Sequence, residues 1–121
     1  MPLEVKTYEA PALLGELLLY ELNPEYCRDT VTIKAPETDL PMGTVMVRNG
    51  DGTYSPWADA DTDAAGVLLC DVAATEADVT APVVRRVATV SASALQWPDA
   101  TADARKAACL AALETIGIIA R

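Results

Sequence analysis

The sequence predicts a mainly β protein (α+β), in which a small β-rich core containing a hairpin precedes one C-terminal helix. Three observations indicate this class. Short segments alternate β-branched and polar residues, an Asn-Gly-Asp-Gly turn separates two of them, and an alanine-rich run lies near the C-terminus. A chain of 121 residues is long enough for one domain. Its core is expected to be thin, because 22 residues are alanine and phenylalanine is absent, and assembly into an oligomer would supplement it.

The first three predicted strands include the hairpin. Residues 30–34 alternate β-branched and polar side chains, and residues 44–48 repeat that composition. Residues 49–52 form the turn, because Asn-Gly and Asp-Gly provide the positive φ angles that hairpin turns require. Residues 53–57 complete the hairpin, and Pro56 confines this arm to an edge or an end because proline cannot donate to a strand ladder.

Two further strands are predicted after a small acidic loop. Residues 66–72 form a near-continuous apolar run, which is typical of a strand buried on both faces or lying across a subunit boundary. Residues 73–82 are expected to be a polar connection, and residues 83–91 the last long strand. Within that strand Arg85 and Arg86 should face opposite sides, one inward and the other outward. An intersubunit ion pair and a solvent-exposed face are equally consistent with this pair.

A helix is predicted at the C-terminal end. Trp97-Pro98 ends an extended segment, because the residue before a proline is disfavoured in the helical region. Asp99 or Thr101 can then cap the helix, and Asp103 places a negative charge in its positive first turn.

The helix is expected to continue through alanine-rich sequence to Glu114 and to stop at Gly117. Residues 118–119 then add a short apolar extension. Trp97, beside a proline at an element boundary, is interpreted as a core plug rather than a binding-site aromatic. This segment is therefore predicted to be scaffold.

The N-terminal quarter has no clear periodicity. Residues 1–29 sustain neither a period of 2 nor one of 3.6, and prolines interrupt them. Their leucine-rich part either packs on its own domain or is held for a partner. The sequence is accordingly divided into an extended N-terminal arm at residues 1–29 and a β-rich domain at residues 30–121.

Charge excludes one class of partner. The net charge is −9, and residues 35–84 carry nine acidic residues against one basic residue, Arg48. Such a surface repels phosphate backbones, which argues against nucleic-acid binding and favours a solvated acidic face. The N-terminal apolar patch is short and interrupted, so it predicts neither a signal peptide nor a membrane span.

The cysteines do not indicate a metal site. Cys27, Cys70 and Cys109 lie far apart, no CxxC spacing occurs, and the sequence contains no histidine, so a structural zinc site is not expected. Cys70 and Cys109 lie in apolar runs and are interpreted as small buried hydrophobes. A reducing compartment fits this cysteine usage best.

No catalytic constellation is found. Asp59, Asp61 and Asp63 alternate like the start of a calcium loop, but the glycine and glutamate required at its sixth and twelfth positions are absent. A serine or cysteine nucleophile would lack its usual histidine base. A small carboxylate-dependent enzyme therefore stays open only as an alternative, and no cofactor is expected.

Four segments, in order and spacing, resemble the lambda-type bacteriophage head decoration proteins. They are residues 40–45 (LPMGTV), 64–69 (AAGVLL), 95–98 (LQWP) and 116–119 (IGII). The resemblance runs from about Val31 to the C-terminus. It implies a small non-enzymatic capsid protein, made in the host cytoplasm and located on the outer surface of the phage head.

The resemblance also implies partners and contacts. Its members form homotrimers at three-fold positions of the expanded head, bind the major capsid protein, and hold the shell against the pressure of packaged DNA. A tail or fibre adaptor is the alternative structural role. Capsid contacts are expected from the arm and the first strand, at Leu13, Leu14, Leu17, Leu18, Leu19, Tyr20, Val31 and Ile33. Core and trimer contacts are expected at Gly66, Val67, Leu68, Leu69, Leu95, Trp97, Pro98, Ile116 and Ile118.

Overall fold

The protein is built from a closed β-barrel and a small β-sheet. The computed structural model describes residues 14–58, 64–97 and 101–121. In chain order the elements are α1 (Leu14–Leu17), β1 (Leu18–Glu21), α2 (Pro24–Cys27), β2 (Arg28–Ile33), β3 (Val45–Arg48), β4 (Tyr54–Pro56), β5 (Gly66–Leu68), β6 (Val79–Val84), β7 (Ala88–Val90), a 3₁₀ turn (Ala92–Ala94), α3 (Asp103–Thr115) and β8 (Ile118–Ala120).

Strands β2, β4, β3, β5 and β6 close into the barrel, and β1, β7 and β8 form the three-stranded sheet. This architecture confirms the predicted mainly β class with a C-terminal helix.

The predicted hairpin is confirmed. Strands β3 and β4 pair antiparallel, and the backbone N–H of Asn49 donates to the carbonyl of Thr53 at 2.7 Å. Gly52 has a φ of 90° and donates back to Asn49 at 3.0 Å, so it occupies the left-handed position that glycine tolerates. Pro56 is the last residue of β4, which is the end position expected for a proline.

The long pairing of β2 with β6 forms one wall of the barrel. The two strands are antiparallel over six residue pairs, from Arg28 opposite Val84 to Ile33 opposite Val79. On its other side β2 meets β4 in parallel through the single pair of Ile33 and Tyr54. The next N–H along, that of Lys34, donates to the carbonyl of Tyr54 at 2.9 Å and completes the closure.

The prediction of one long strand at residues 83–91 is wrong, as is that of a polar connection through residue 82. Strand β6 already begins at Val79 and ends at Val84, and the chain then turns into β7 of the other sheet. The turn includes Val87, whose φ of 44° is unusual for a β-branched residue. Because such a conformation is held in place by its surroundings rather than favoured by its residue type, the sequence pattern does not reveal the break.

Arg85 and Arg86 lie in a turn rather than in the predicted strand. The Arg85 guanidinium lies 5.8 Å from the ring centroid of the buried Tyr54, and the Arg86 guanidinium lies 5.2 Å from that of the exposed Tyr26. Both guanidinium groups bind Oδ2 of Asp29 on β2, at 2.5 Å from Arg85 Nη1 and 3.1 Å from Arg86 Nη2. The alternation of a strand does not apply here, because these two residues belong to the turn between β6 and β7. One carboxylate thus ties this turn to the barrel.

The predicted strand at residues 66–72 is too long. Strand β5 ends at Leu68, after which Leu69 donates to the carbonyl of Pro82 at 3.0 Å and the chain bends. Val72 then forms an isolated antiparallel bridge with Leu40. Gly66 has a packing role, because a Cβ atom there would lie 2.6 Å from Cγ1 of Val83.

The C-terminal helix is confirmed, but its predicted cap is not. Helix α3 begins after Ala102, the N-cap residue, which makes no side-chain capping hydrogen bond. Thr101 is therefore not the cap, and Asp99 lies outside the described residues. Asp103 does lie in the first turn, and Gly117, with a φ of 85°, ends the helix before β8.

Two hydrophobic clusters fill the molecule. The larger joins barrel, sheet and helix, for it contains Val67 of the barrel, Val90 of the sheet and Leu113 of α3. The smaller lies within the barrel around Ile33 and Tyr54. Because the larger cluster crosses from one sheet to the other, barrel and sheet share a core and form one domain.

The residues expected to make core and trimer contacts lie mostly in these clusters. Trp97 and Ile116 are half-buried and pack against the larger cluster, and Pro98 lies outside the described residues. The buried members are Gly66, Val67, Leu68, Leu69, Leu95 and Ile118. Cys109 is buried as expected, whereas Cys70 is half-buried, and all three cysteines are free.

Candidate functional site

The residues expected to contact the capsid occupy very different environments. Leu17 and Ile33 are completely buried in this chain's own core. Leu14, Leu18 and Val31 are half-buried. Leu19 and Tyr20 are 52% and 57% exposed, so they are the members of the set that another protein can reach. Leu13 lies outside the described residues.

An apolar row crosses the outer side of the three-stranded sheet. Tyr20 of β1 lies opposite Thr89 of β7, which in turn lies opposite Ile119 of β8. Tyr20 and Ile119 are 57% and 42% exposed. Leu22, just after the end of β1, is 58% exposed. We call Tyr20, Thr89 and Ile119 the outer sheet face.

The opposite side of the same sheet packs on the core. Ala88, Val90 and Ile118 alternate with the outward-facing residues of β7 and β8, and all three are buried. This alternation fixes which side is left for solvent or for another protein, because a shift of one residue would reverse both faces.

Glu21 and Arg28 hold β1 against the barrel. Arg28 on β2 donates from Nε and Nη2 to the Glu21 carboxylate, and the Nη2–Oε1 distance is 2.5 Å. This two-donor geometry is the strong form of the arginine–carboxylate pair. The hydrogen bond to Glu21 is also the main cause that raises the pKa of Arg28. The edge strand that carries Tyr20 is thus held at a fixed position.

The helical turn α2 adds a second exposed aromatic beside the sheet. Asn23 caps the turn by accepting a hydrogen bond from the N–H of Glu25 at 2.8 Å. Tyr26 is 52% exposed, and the guanidinium of Arg86 lies 5.2 Å from its ring centroid. Arg86 also donates to the carbonyl of Tyr26. The Arg86 guanidinium therefore holds α2 in position relative to the turn that precedes β7.

The Asp29 carboxylate on β2 binds Arg85 and Arg86 of the turn before β7, and its pKa is shifted by them. The hydrogen bond from Arg85, assisted by Arg86, lowers the pKa of Asp29, and burial opposes the shift only partly. The Asp29 carboxylate therefore remains ionised to a lower pH than a free aspartate does. Its arrangement is that of a structural ion pair that joins β2 to the turn before β7.

The two tryptophans contact each other at the larger cluster, of which Trp57 is a member. The rings of Trp57 and Trp97 meet edge to face with centroids 5.6 Å apart, and Lys106 of α3 lies 5.9 Å from the Trp97 ring. The indole N–H of Trp57 is buried and finds no acceptor among the residues whose positions are described. The half-buried Trp97 packs on the cluster, in agreement with its interpretation as a core residue.

An open groove of about 1,090 Å³ lies at the end of the barrel away from the sheet. Its walls include Lys34, Glu37, Glu76 and Asp78. The Asp78 carboxylate accepts the backbone N–H of Ala35 at 2.8 Å, so it already serves to hold the wall of the groove. This use of Asp78 gives no support to the carboxylate-dependent enzyme alternative.

Metal and membrane searches of the described parts of the chain gave no candidate. Within residues 14–58, 64–97 and 101–121 no group of three or more metal-ligating side chains converges. Asp59, Asp61 and Asp63 lie outside those ranges. No helix in the same ranges is long and apolar enough to cross a membrane.

Comparison with known protein families shows which family this chain belongs to. The sequence model of the family described as bacteriophage lambda head decoration protein D matches residues 7–118. The chain belongs to this family. Membership confirms the resemblance and extends it toward the N-terminus, beyond the start near Val31 that the sequence segments indicated. A search of curated proteins gave no match.

Family membership establishes the coarse role. The family consists of structural proteins that decorate the phage capsid, so this chain is a capsid decoration protein of the virion and not a member of an enzyme family. The surface that the sequence did not identify is the outer sheet face, in particular Thr89 and Ile119. One signal was present: adjacent residues of a strand point to opposite sides, so only one residue of Ile118-Ile119 can enter the core.

Proposed function

We propose that this protein binds the major capsid protein of the expanded phage head as a trimer at three-fold positions and stabilises the shell against the pressure of packaged DNA. It is made in the host cytoplasm and binds the outer surface of the head. The observation that carries this proposal is the family match over residues 7–118.

Stabilisation follows from linkage. A protein that binds the expanded lattice and not its ruptured or contracted states shifts the equilibrium toward the expanded lattice by mass action. Three binding segments on one trimer act together, because the first attachment raises the effective concentration of the other two. Modest affinity for each segment is therefore sufficient for firm attachment.

The N-terminal segment is the proposed attachment element. An extended peptide can add a strand to an exposed sheet edge of a partner, where backbone hydrogen bonds give affinity and side-chain pockets give specificity. Residues 1–13 immediately precede α1 and β1 in the sequence. Within β1, Leu19 and Tyr20 are exposed and accessible to a partner.

The structure determines which truncation tests this element. Removing residues 1–29 would delete β1 together with the buried side chains of Leu17 and Cys27, and would destabilise the fold as well as the attachment. Removing residues 1–13 leaves every described helix and strand intact. We expect the shorter truncation to remain folded and to lose attachment.

The experiment is cosedimentation of the full-length and truncated proteins with expanded, undecorated heads, with unexpanded heads as a control. Full-length protein should pellet with expanded heads only, and decorated heads should rupture at a higher temperature than bare ones. If full-length protein ignores expanded heads, the decoration proposal fails and a tail or fibre adaptor becomes the better hypothesis. If the 1–13 truncation binds as well as full-length protein, the attachment mechanism fails and the decoration role stands.

A further inference from the structure

We draw no further inference here: the strongest candidate, the open groove at the end of the barrel lined by Glu37, Glu76 and Asp78, rests on a cluster of acidic side chains, and no second feature of the described residues points to a ligand that it would hold.

Discussion

Replacement of Gly43 by alanine should destabilise the protein strongly. Gly43 has a φ of 98°, and a Cβ atom there would lie 2.3 Å from the carbonyl oxygen of Ala94. The left-handed conformation costs a residue with a Cβ about 1–2 kcal/mol, and relief of the clash by backbone movement costs about 1–3 kcal/mol more. The expected loss is therefore about 2–5 kcal/mol, a large part of a typical unfolding free energy of about 5–15 kcal/mol.

The clash cannot be relieved cheaply, because the backbone around Gly43 is bonded on both sides. Its N–H donates to the carbonyl of Leu68 at 2.9 Å, and its carbonyl accepts the N–H of Gln96 at 3.0 Å. Movement away from Ala94 would stretch one of these bonds. The strained contact therefore lies at the junction of the barrel with the segment that leads to α3.

Gly50→Ala is the matched control. No atom lies within 4 Å of the position that its Cβ would take, and its φ is not in the left-handed region. Its free energy of unfolding should change by less than about 1 kcal/mol, with stabilisation possible through reduced unfolded-state entropy. Urea titration at equal protein concentration measures both variants, and a loss of about 3 kcal/mol corresponds to a midpoint lowered by about 1–3 M. Midpoints that agree to within about 0.3 M would refute the reasoning, since the two substitutions are chemically identical.

Three further predictions follow from burial and ionisation. Leu17→Ala should lose about 2–5 kcal/mol of unfolding free energy because Leu17 is completely buried, whereas Leu19→Ala should be close to neutral; equal urea midpoints would contradict the assigned burial. The lowered pKa of Asp29 means that its contribution to stability is present above the ordinary aspartate pKa of 3.8 and is lost as the pH falls through the folded-state pKa. Asp29→Asn should therefore be less stable than the wild type at neutral pH, and acid titration should bring the two unfolding free energies together; a constant gap would be the contrary result. Burial raises the pKa of Cys109 to about 11, so a thiol reagent should modify the half-buried Cys70 first in the native protein, and Cys109 only after denaturation, as followed by mass spectrometry of the peptides.

Elements encoded by local chemistry could be predicted from the sequence. The position of the hairpin turn at residues 49–52 agrees with the structure, and the turn uses the positive φ of Gly52, whereas Gly50 does not adopt one. The end of α3 at Gly117 follows from the same property. Both are decided by a few neighbouring residues, so a single sequence contains the whole signal.

Elements that depend on contacts between distant residues could not be predicted from the sequence. The break between β6 and β7 depends on Asp29, which is more than fifty positions away and binds both arginines of the turn. Strand β1 pairs with β7 across about seventy positions, so its residues show no periodicity of their own that identifies them as a strand. The outer sheet face was missed for the same reason, because Tyr20, Thr89 and Ile119 become neighbours only when the sheet forms.

The way in which the chain passes between barrel and sheet determines how the molecule bears mechanical load. Strand β2 is entered from the sheet through α2, and β6 leaves toward the sheet through Val87, so both covalent links enter the barrel at the same end of one antiparallel pair. A pull on the sheet is therefore divided between two adjacent strands that move together, rather than peeling one strand from its neighbour. Asp29 adds a third, non-covalent link at that point. Force applied to the sheet therefore enters the barrel through two covalent links and one ion pair at the same end of β2 and β6.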